Sequence, residues 1–167
     1  MKRTLPLPTF FALFFFLPAW AFPQPETDEV AADIMEYVAS VRKDLSEGKV
    51  QSLNAVLALS SEESALFWPL YRQYEEEYFD IGDRRLLLLN SYGRAIAEKS
   101  LSEEEASIMA ENWFELQEEY LALLKEYHQK ISIVLGPLAA AQFVQLENRY
   151  GMVTDIILAS QVPLISR

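Results

Sequence analysis

A lone histidine, a ladder of glutamates and a crowd of aromatic rings are the side chains in this sequence that have chemistry to offer. His128 is the single histidine. Nucleophilic catalysis by serine needs an imidazole beside the nucleophile, and no G-x-S-x-G turn is present to build that arrangement. His128 follows a periodic apolar position, Tyr127, and reads as a partly exposed surface residue. Five glycines, Gly48, Gly82, Gly93, Gly136 and Gly151, are too scattered to form a phosphate-cradling loop. Two-metal sites in helical bundles use Glu-x-x-His on two helices, and here Lys125 stands three residues before His128. Glu111, Glu115 and Glu119 share a helix face, and Glu75, Glu76 and Glu77 form a run. Both read as solvated acidic surface, with a carboxylate-only metal cluster as the remote alternative. The sequence therefore reads as no enzyme, with no cofactor and no metal site.

The aromatic residues say more. Phe67-Trp68-Pro69-Leu70-Tyr71 is continued by Tyr74, Tyr78 and Phe79, concentrating large rings around a proline. Aromatic side chains dominate buried area, so core packing is one reading. The other is a partly exposed apolar groove for a peptide or lipid chain, because one helix stripe cannot hide so many rings. On that reading Phe67, Trp68, Tyr71, Tyr74, Tyr78 and Phe79 are the candidate partner contacts. Arg85 falls on the same stripe. It either snorkels to solvent or pairs with a facing glutamate such as Glu115 or Glu119.

Helices must position these groups, since no period-two alternation competes. Val30, Ile34, Tyr37, Val38, Val41 and Leu45 recur in steps of three and four from Thr27, with Gly48 as a plausible stop. Lys49 to Leu59 is ambiguous, a short helix or an extended connector. Ser60 with Glu63 forms a capping box opening a helix to about Glu98. Within it, Tyr74, Tyr78, Ile81, Arg85, Leu88 and Tyr92 follow seam spacing, and Pro69 removes one backbone hydrogen bond. Ser102 and Glu105 repeat the box and open a helix to Leu135, striped by Ala106, Met109, Trp113, Leu116, Tyr120, Leu123, Tyr127, Ile131 and Val134. Gly136 ends it, and Pro137 suits the first position of a fourth helix bearing Leu138, Ala141, Leu146, Tyr150, Val153 and Ile157 until Pro163. The predicted fold is all-α: a long antiparallel hairpin with flanking helices. A hairpin of this length leaves apolar surface that dimerisation would cover.

The first 21 residues are set apart from this architecture. Lys2 and Arg3, the apolar run Phe10 to Leu17 and Ala19-Trp20-Ala21 match a secretory signal peptide cleaved after Ala21. The run is shorter than the roughly 20 residues of a spanning helix. Cleavage leaves 146 of the 167 residues, 22–167, as one helical domain led by Phe22 to Glu26. Loss of Lys2 and Arg3 moves the net charge from −11 to −13. Such an acidic body repels nucleic acid and anionic lipid. With no cysteine, stability must come from packing, and no stable membrane insertion is expected after cleavage.

Leu59-Ser60-Ser61-Glu62-Glu63, opening a long helix in an exported helical chain without cysteine, resembles the Spy/CpxP-like periplasmic proteins, the LTXXQ-motif group. Phe67-Trp68-Pro69-Leu70-Tyr71 is similar to the F-W-P-x-Y stretch of that group's uncharacterised exported members. Leu135-Gly136-Pro137, Gln142-Phe143 and Leu146-Glu147-Asn148-Arg149 resemble their second motif. Glu63 stands where the first motif usually carries glutamine, and the second reads Leu135-Gly136-Pro137-Leu138-Ala139 without its threonine and glutamine. The resemblance implies a periplasmic antiparallel homodimer with a curved cradle, and an ATP-independent chaperone or envelope-stress role toward unfolded or partly folded proteins. The alternative expectation is a regulatory partner of a membrane sensor or anti-sigma system.

Overall fold

The computed structural model describes residues 27–160, with side chains placed at residue 40 and from residue 43 onward. The signal segment with its cleavage point, the Phe22–Glu26 leader, and the side chains of Val30, Ile34, Tyr37, Val38 and Val41 lie outside the described residues. Within them the chain is all-α, as expected, with helices α1 (Thr27–Leu57), α2 (Ser61–Ala97), α3 (Glu103–Leu135) and α4 (Pro137–Ser160). At 1.5 Å per residue, α2 and α3 each run for about 50 Å or slightly more. Connections of a few residues force successive helices to fold back on each other. Helix α2 packs along α3, α3 along α4, and α4 along α1.

Local chemistry starts α2 and α3, and ends α3, where the sequence indicates. The Ser60 hydroxyl accepts from the Glu63 amide at 3.2 Å, and the Glu63 carboxylate accepts from the Ser60 amide at 2.9 Å. Ser102 and Glu105 make the same reciprocal pair. Each box satisfies two amides that have no intrahelical partner. The hydrogen bonds from Ser60 hold the Glu63 carboxyl below the usual range, and those from Ser102 do the same for Glu105. Gly136 ends α3 at φ +88°, a conformation L side chains rarely adopt, and Pro137 is the first residue of α4. Pro69 lies inside α2 on its exposed side, and the helix continues past it.

Two expectations need correction. Helix α1 does not stop at Gly48. It runs on to Leu57 and absorbs the ambiguous segment. A Cβ at Gly48 would lie 3.4 Å from the Tyr150 hydroxyl, so the glycine belongs to the close approach of α1 and α4, not to a helix end. Helix α4 keeps half of the face its apolar spacing suggests, since Leu146, Tyr150 and Ile157 are buried or half-buried. Ala140, Phe143, Leu146, Glu147 and Leu158 are buried, while Leu138, Ala141 and Val153 are exposed. The stripe of α3 holds throughout: every named position is buried or half-buried. The core gathers Leu53 from α1, Phe67, Tyr71, Tyr74 and Ile81 from α2, Leu116, Leu123, Leu124, Tyr127 and Ile131 from α3, and Ala140, Phe143 and Leu146 from α4.

Candidate functional site

The rings of α2 form a continuous row along the bundle. Phe67 meets Trp68 edge-on at 5.0 Å and stacks with Tyr71 at 5.7 Å. Tyr71 leads to Tyr74 at 6.2 Å, and Tyr74 stacks on Tyr78 at 5.9 Å. Tyr74 also takes Tyr127 of α3 and Phe143 of α4 edge-on, at 5.3 and 5.0 Å. Tyr78 continues the row to Phe79 and to Tyr120 of α3. Such offset and edge-to-face pairs each add about 0.5–1.5 kcal/mol beyond the area they bury.

Burial divides the six predicted contact residues. Phe67, Tyr71 and Tyr74 are closed inside the bundle and belong to the core. They offer no surface to a partner in this conformation, which corrects the reading of the whole row as a groove. These rings, on successive turns of α2, pack against α3 and α4, where Tyr74 meets Tyr127 and Phe143. Trp68, Tyr78 and Phe79 are half-buried and form the row's outer margin. Beside Tyr78 and Phe79 lies a cavity of about 70 Å³, lined by Leu45, Ser46 and Lys49 of α1, Tyr78, Phe79 and Arg85 of α2, Tyr120 of α3, and Tyr150, Thr154 and Ile157 of α4 among others.

Lys49, which lines this cavity, belongs to a buried polar cluster. Lys49 is 4% exposed and Glu147 is 1% exposed, and their charged groups meet at 3.0 Å. The Tyr74 hydroxyl donates to the same Glu147 Oε2 at 2.9 Å, and the Lys49 ammonium lies 4.6 Å from the centre of the Tyr78 ring. One carboxylate thus ties α1, α2 and α4 together. Burial pushes the Glu147 carboxyl above the ordinary range, against the pull of Lys49 and the Tyr74 hydrogen bond. Burial and the nearby Glu147 charge raise Tyr71, Tyr74 and Tyr120 as well. Glu147 Oε1 and the hydroxyls of Tyr71 and Tyr120 have no hydrogen-bond partner among protein groups. Of these residues, Tyr120 lines the cavity, whose volume has room for water, which commonly satisfies such groups. Nearby, the Ser52 and Tyr150 hydroxyls share a hydrogen bond of 2.8 Å, and Ser46 donates to Glu75 at 2.6 Å.

Arg85 neither snorkels freely nor pairs with Glu115 or Glu119. It is buried, reaches Asp155 of α4 at 2.6 Å, and lies over the Trp113 ring with its guanidinium carbon 4.8 Å from the centre. Glu119 is taken by the neighbouring Arg84 in a two-pronged ion pair. That contact raises the Arg84 guanidinium and lowers the Glu119 carboxyl.

Sequence reasoning missed Lys49, Glu147 and Asp155. A signal existed for the first two: Lys49 sits midway between Leu45 and Leu53 at spacing four, and Glu147 follows Phe143 at spacing four. Each charge occupies a stripe position that an apolar count skips. Among the described residues no group of three His, Asp or Glu side chains is placed to hold a metal ion, and none of the described helices is long and apolar enough to cross a membrane. Set against known proteins, the chain matches no family model, no curated protein and no solved structure.

Proposed function

We propose that this chain is an exported, cofactor-free interaction protein of the periplasm that holds unfolded or partly folded segments of other proteins without ATP. The observation that carries this reading is the half-buried margin of the aromatic row: Tyr78 and Phe79 line a mostly apolar cavity among α1, α2 and α4, and Trp68 is half-buried further along the same row. Rings with one face packed and one face reachable supply apolar contact at small entropy cost. The surrounding acidic surface, part of a net charge of −11, keeps a loaded complex soluble. The test is aggregation suppression: purified chain titrated against a chemically unfolded client, with light scattering recorded and no ATP present. Near-stoichiometric amounts should suppress scattering. Trp68→Ala with Phe79→Ala should lose most of that effect while helicity by circular dichroism is retained.

A second reading is favoured by the burial of Phe67, Tyr71 and Tyr74. Rings committed to a core suit a rigid partner for one membrane sensor or anti-sigma protein better than a surface for many clients. No suppression across several unrelated clients overturns the first reading and moves the assignment to the second.

A further inference from the structure

The cavity beside Tyr78 and Phe79 presents hydrogen-bond donors that the protein itself does not use. Most of its polar lining is committed elsewhere. Ser46 donates to Glu75, the Tyr150 and Ser52 hydroxyls share a hydrogen bond, and the Thr154 hydroxyl donates to the Tyr150 carbonyl. Lys49 is held by Glu147 and Arg85 by Asp155. Two groups on lining residues are left over, Arg85 Nε and the Tyr120 hydroxyl, both enclosed and without a hydrogen-bond partner among protein groups. Arg85 is 9% exposed, Asp155 engages its Nη2, and the Trp113 ring covers its guanidinium. What remains is the Nε edge. An Nε–H can only donate, and a hydroxyl can donate as well as accept.

The rest of the wall defines what could meet these donors. Leu45 of α1, Ile81 and Leu86 of α2 and Leu158 of α4 supply apolar surface. Each cation at the cavity already faces a carboxylate, so an anionic ligand would find no free positive charge and would lose its hydration for little return. A cationic ligand would add donors to donors. Glu147 Oε1, an acceptor that also lacks a protein partner, belongs to a residue that does not line the cavity. The volume of about 70 Å³ has room for about five water molecules, or for an alkyl body of about as many heavy atoms. Phe79, Thr154 and Ile157 are half-buried and give that edge of the cavity access to solvent.

We propose that this cavity binds a small uncharged molecule through a carbonyl oxygen, a short ketone or the acyl end of an ester, with Arg85 Nε and the Tyr120 hydroxyl as the donors. A carbonyl oxygen has two lone pairs and accepts from both. It takes the place that water fills in the unliganded cavity, and the alkyl part covers the apolar wall. Leaving two enclosed donors unmatched costs free energy, which the ligand recovers on binding. The site needs neither an unfolded protein nor Trp68, so it stands or falls separately from the client reading.

Butan-2-one is a probe of the right size, titrated into the purified chain with the tryptophan indole N–H resonances followed by NMR. The Trp113 resonance, from the ring against Arg85, should shift saturably with a dissociation constant on the order of a millimolar. Trp68 lies about 25 Å away along α2, and its resonance should not move. Propanoate and 2-methylbut-1-ene share the probe's shape, one charged and one without an acceptor, and should each bind about tenfold more weakly. Tyr120→Phe should weaken butan-2-one about tenfold while stability stays at or above wild type, because the hydroxyl removed has no protein partner. Arg85→Lys keeps the charge, removes the Nε–H, and should weaken the ketone to a similar extent. Absence of a saturable Trp113 shift overturns the proposal. So does propanoate binding as tightly as the ketone, or ketone binding unchanged in Tyr120→Phe.

Discussion

Helix α4 carries two carboxylates that reach across the bundle to a cation, and they do so in opposite surroundings. Glu147 meets Lys49 where both side chains are almost fully enclosed, and Asp155, about half exposed, meets Arg85 at the bundle surface. Removing both charges of the inner pair from water costs several kcal/mol per ion, which their attraction offsets only when the remaining lone pairs are satisfied. Here Oε2 accepts twice and Oε1 has no protein partner. The outer pair keeps one partner hydrated, and the arginine has a second support in the Trp113 ring. The inner pair therefore contributes more to register than to net stability: it ties α1 to α4 at one position, and a one-residue slip would leave both charges unpaired. The outer pair lacks that leverage because water can replace either member.

Breaking the inner pair from one side should give the largest effect. Lys49→Met leaves the Glu147 carboxylate enclosed with only the Tyr74 hydroxyl, and the expected loss is about 3–5 kcal/mol in urea unfolding at pH 7. The double replacement Lys49→Met/Glu147→Leu removes both charges and should return stability to wild type or somewhat above it. A single-variant loss under about 1 kcal/mol would place the pair in water and erase the contrast with Asp155.

A smaller effect sharpens the same comparison through pH. The Glu147 carboxyl is raised in the folded chain by burial, so the folded state binds its proton more tightly than the unfolded state does. Its contribution is fully present below the unfolded carboxyl value and is lost as pH rises through the raised folded value. Wild type should therefore gain on Glu147→Gln as pH falls from 7 toward 4.5. Urea midpoints of the two proteins at several pH values measure this. A gap that stays constant across the range would mean that the folded carboxyl titrates like an exposed one.

What the sequence disclosed follows a physical division. Ser60 with Glu63 and Ser102 with Glu105 cap their helices as read, because a capping box depends on four adjacent residues and nothing else. The α3 stripe was equally legible, since one face is apolar for nine successive positions. Helix α4 was legible in part: Leu146, Tyr150 and Ile157 face inward as read, but Glu147 shares that face, and an apolar count that skips a charge takes in the exposed Leu138, Ala141 and Val153 instead. Gly48 was misread because a glycine serves a helix stop and a close helix approach alike, and only Tyr150, a hundred residues later, tells them apart. Arg85 was given partners on α3 because the hairpin was the one tertiary contact the sequence implied. Its actual partner, Asp155, comes from a helix whose placement no local pattern specified.

Asp155→Asn should give the smallest change, at most about 1 kcal/mol by urea unfolding. The asparagine can still accept a hydrogen bond from the guanidinium, and the half-exposed position admits water to the arginine that Asp155 now contacts. What holds Arg85 is in larger part the Trp113 face and the aliphatic stem packed along the bundle. Arg85→Ala should accordingly cost more than Asp155→Asn, the reverse of what a pair held mainly by its charges would show. If Asp155→Asn costs as much as Lys49→Met, exposure of one partner does not govern the strength of these contacts. The distinction between Glu147 and Asp155 on α4 would then rest on geometry alone.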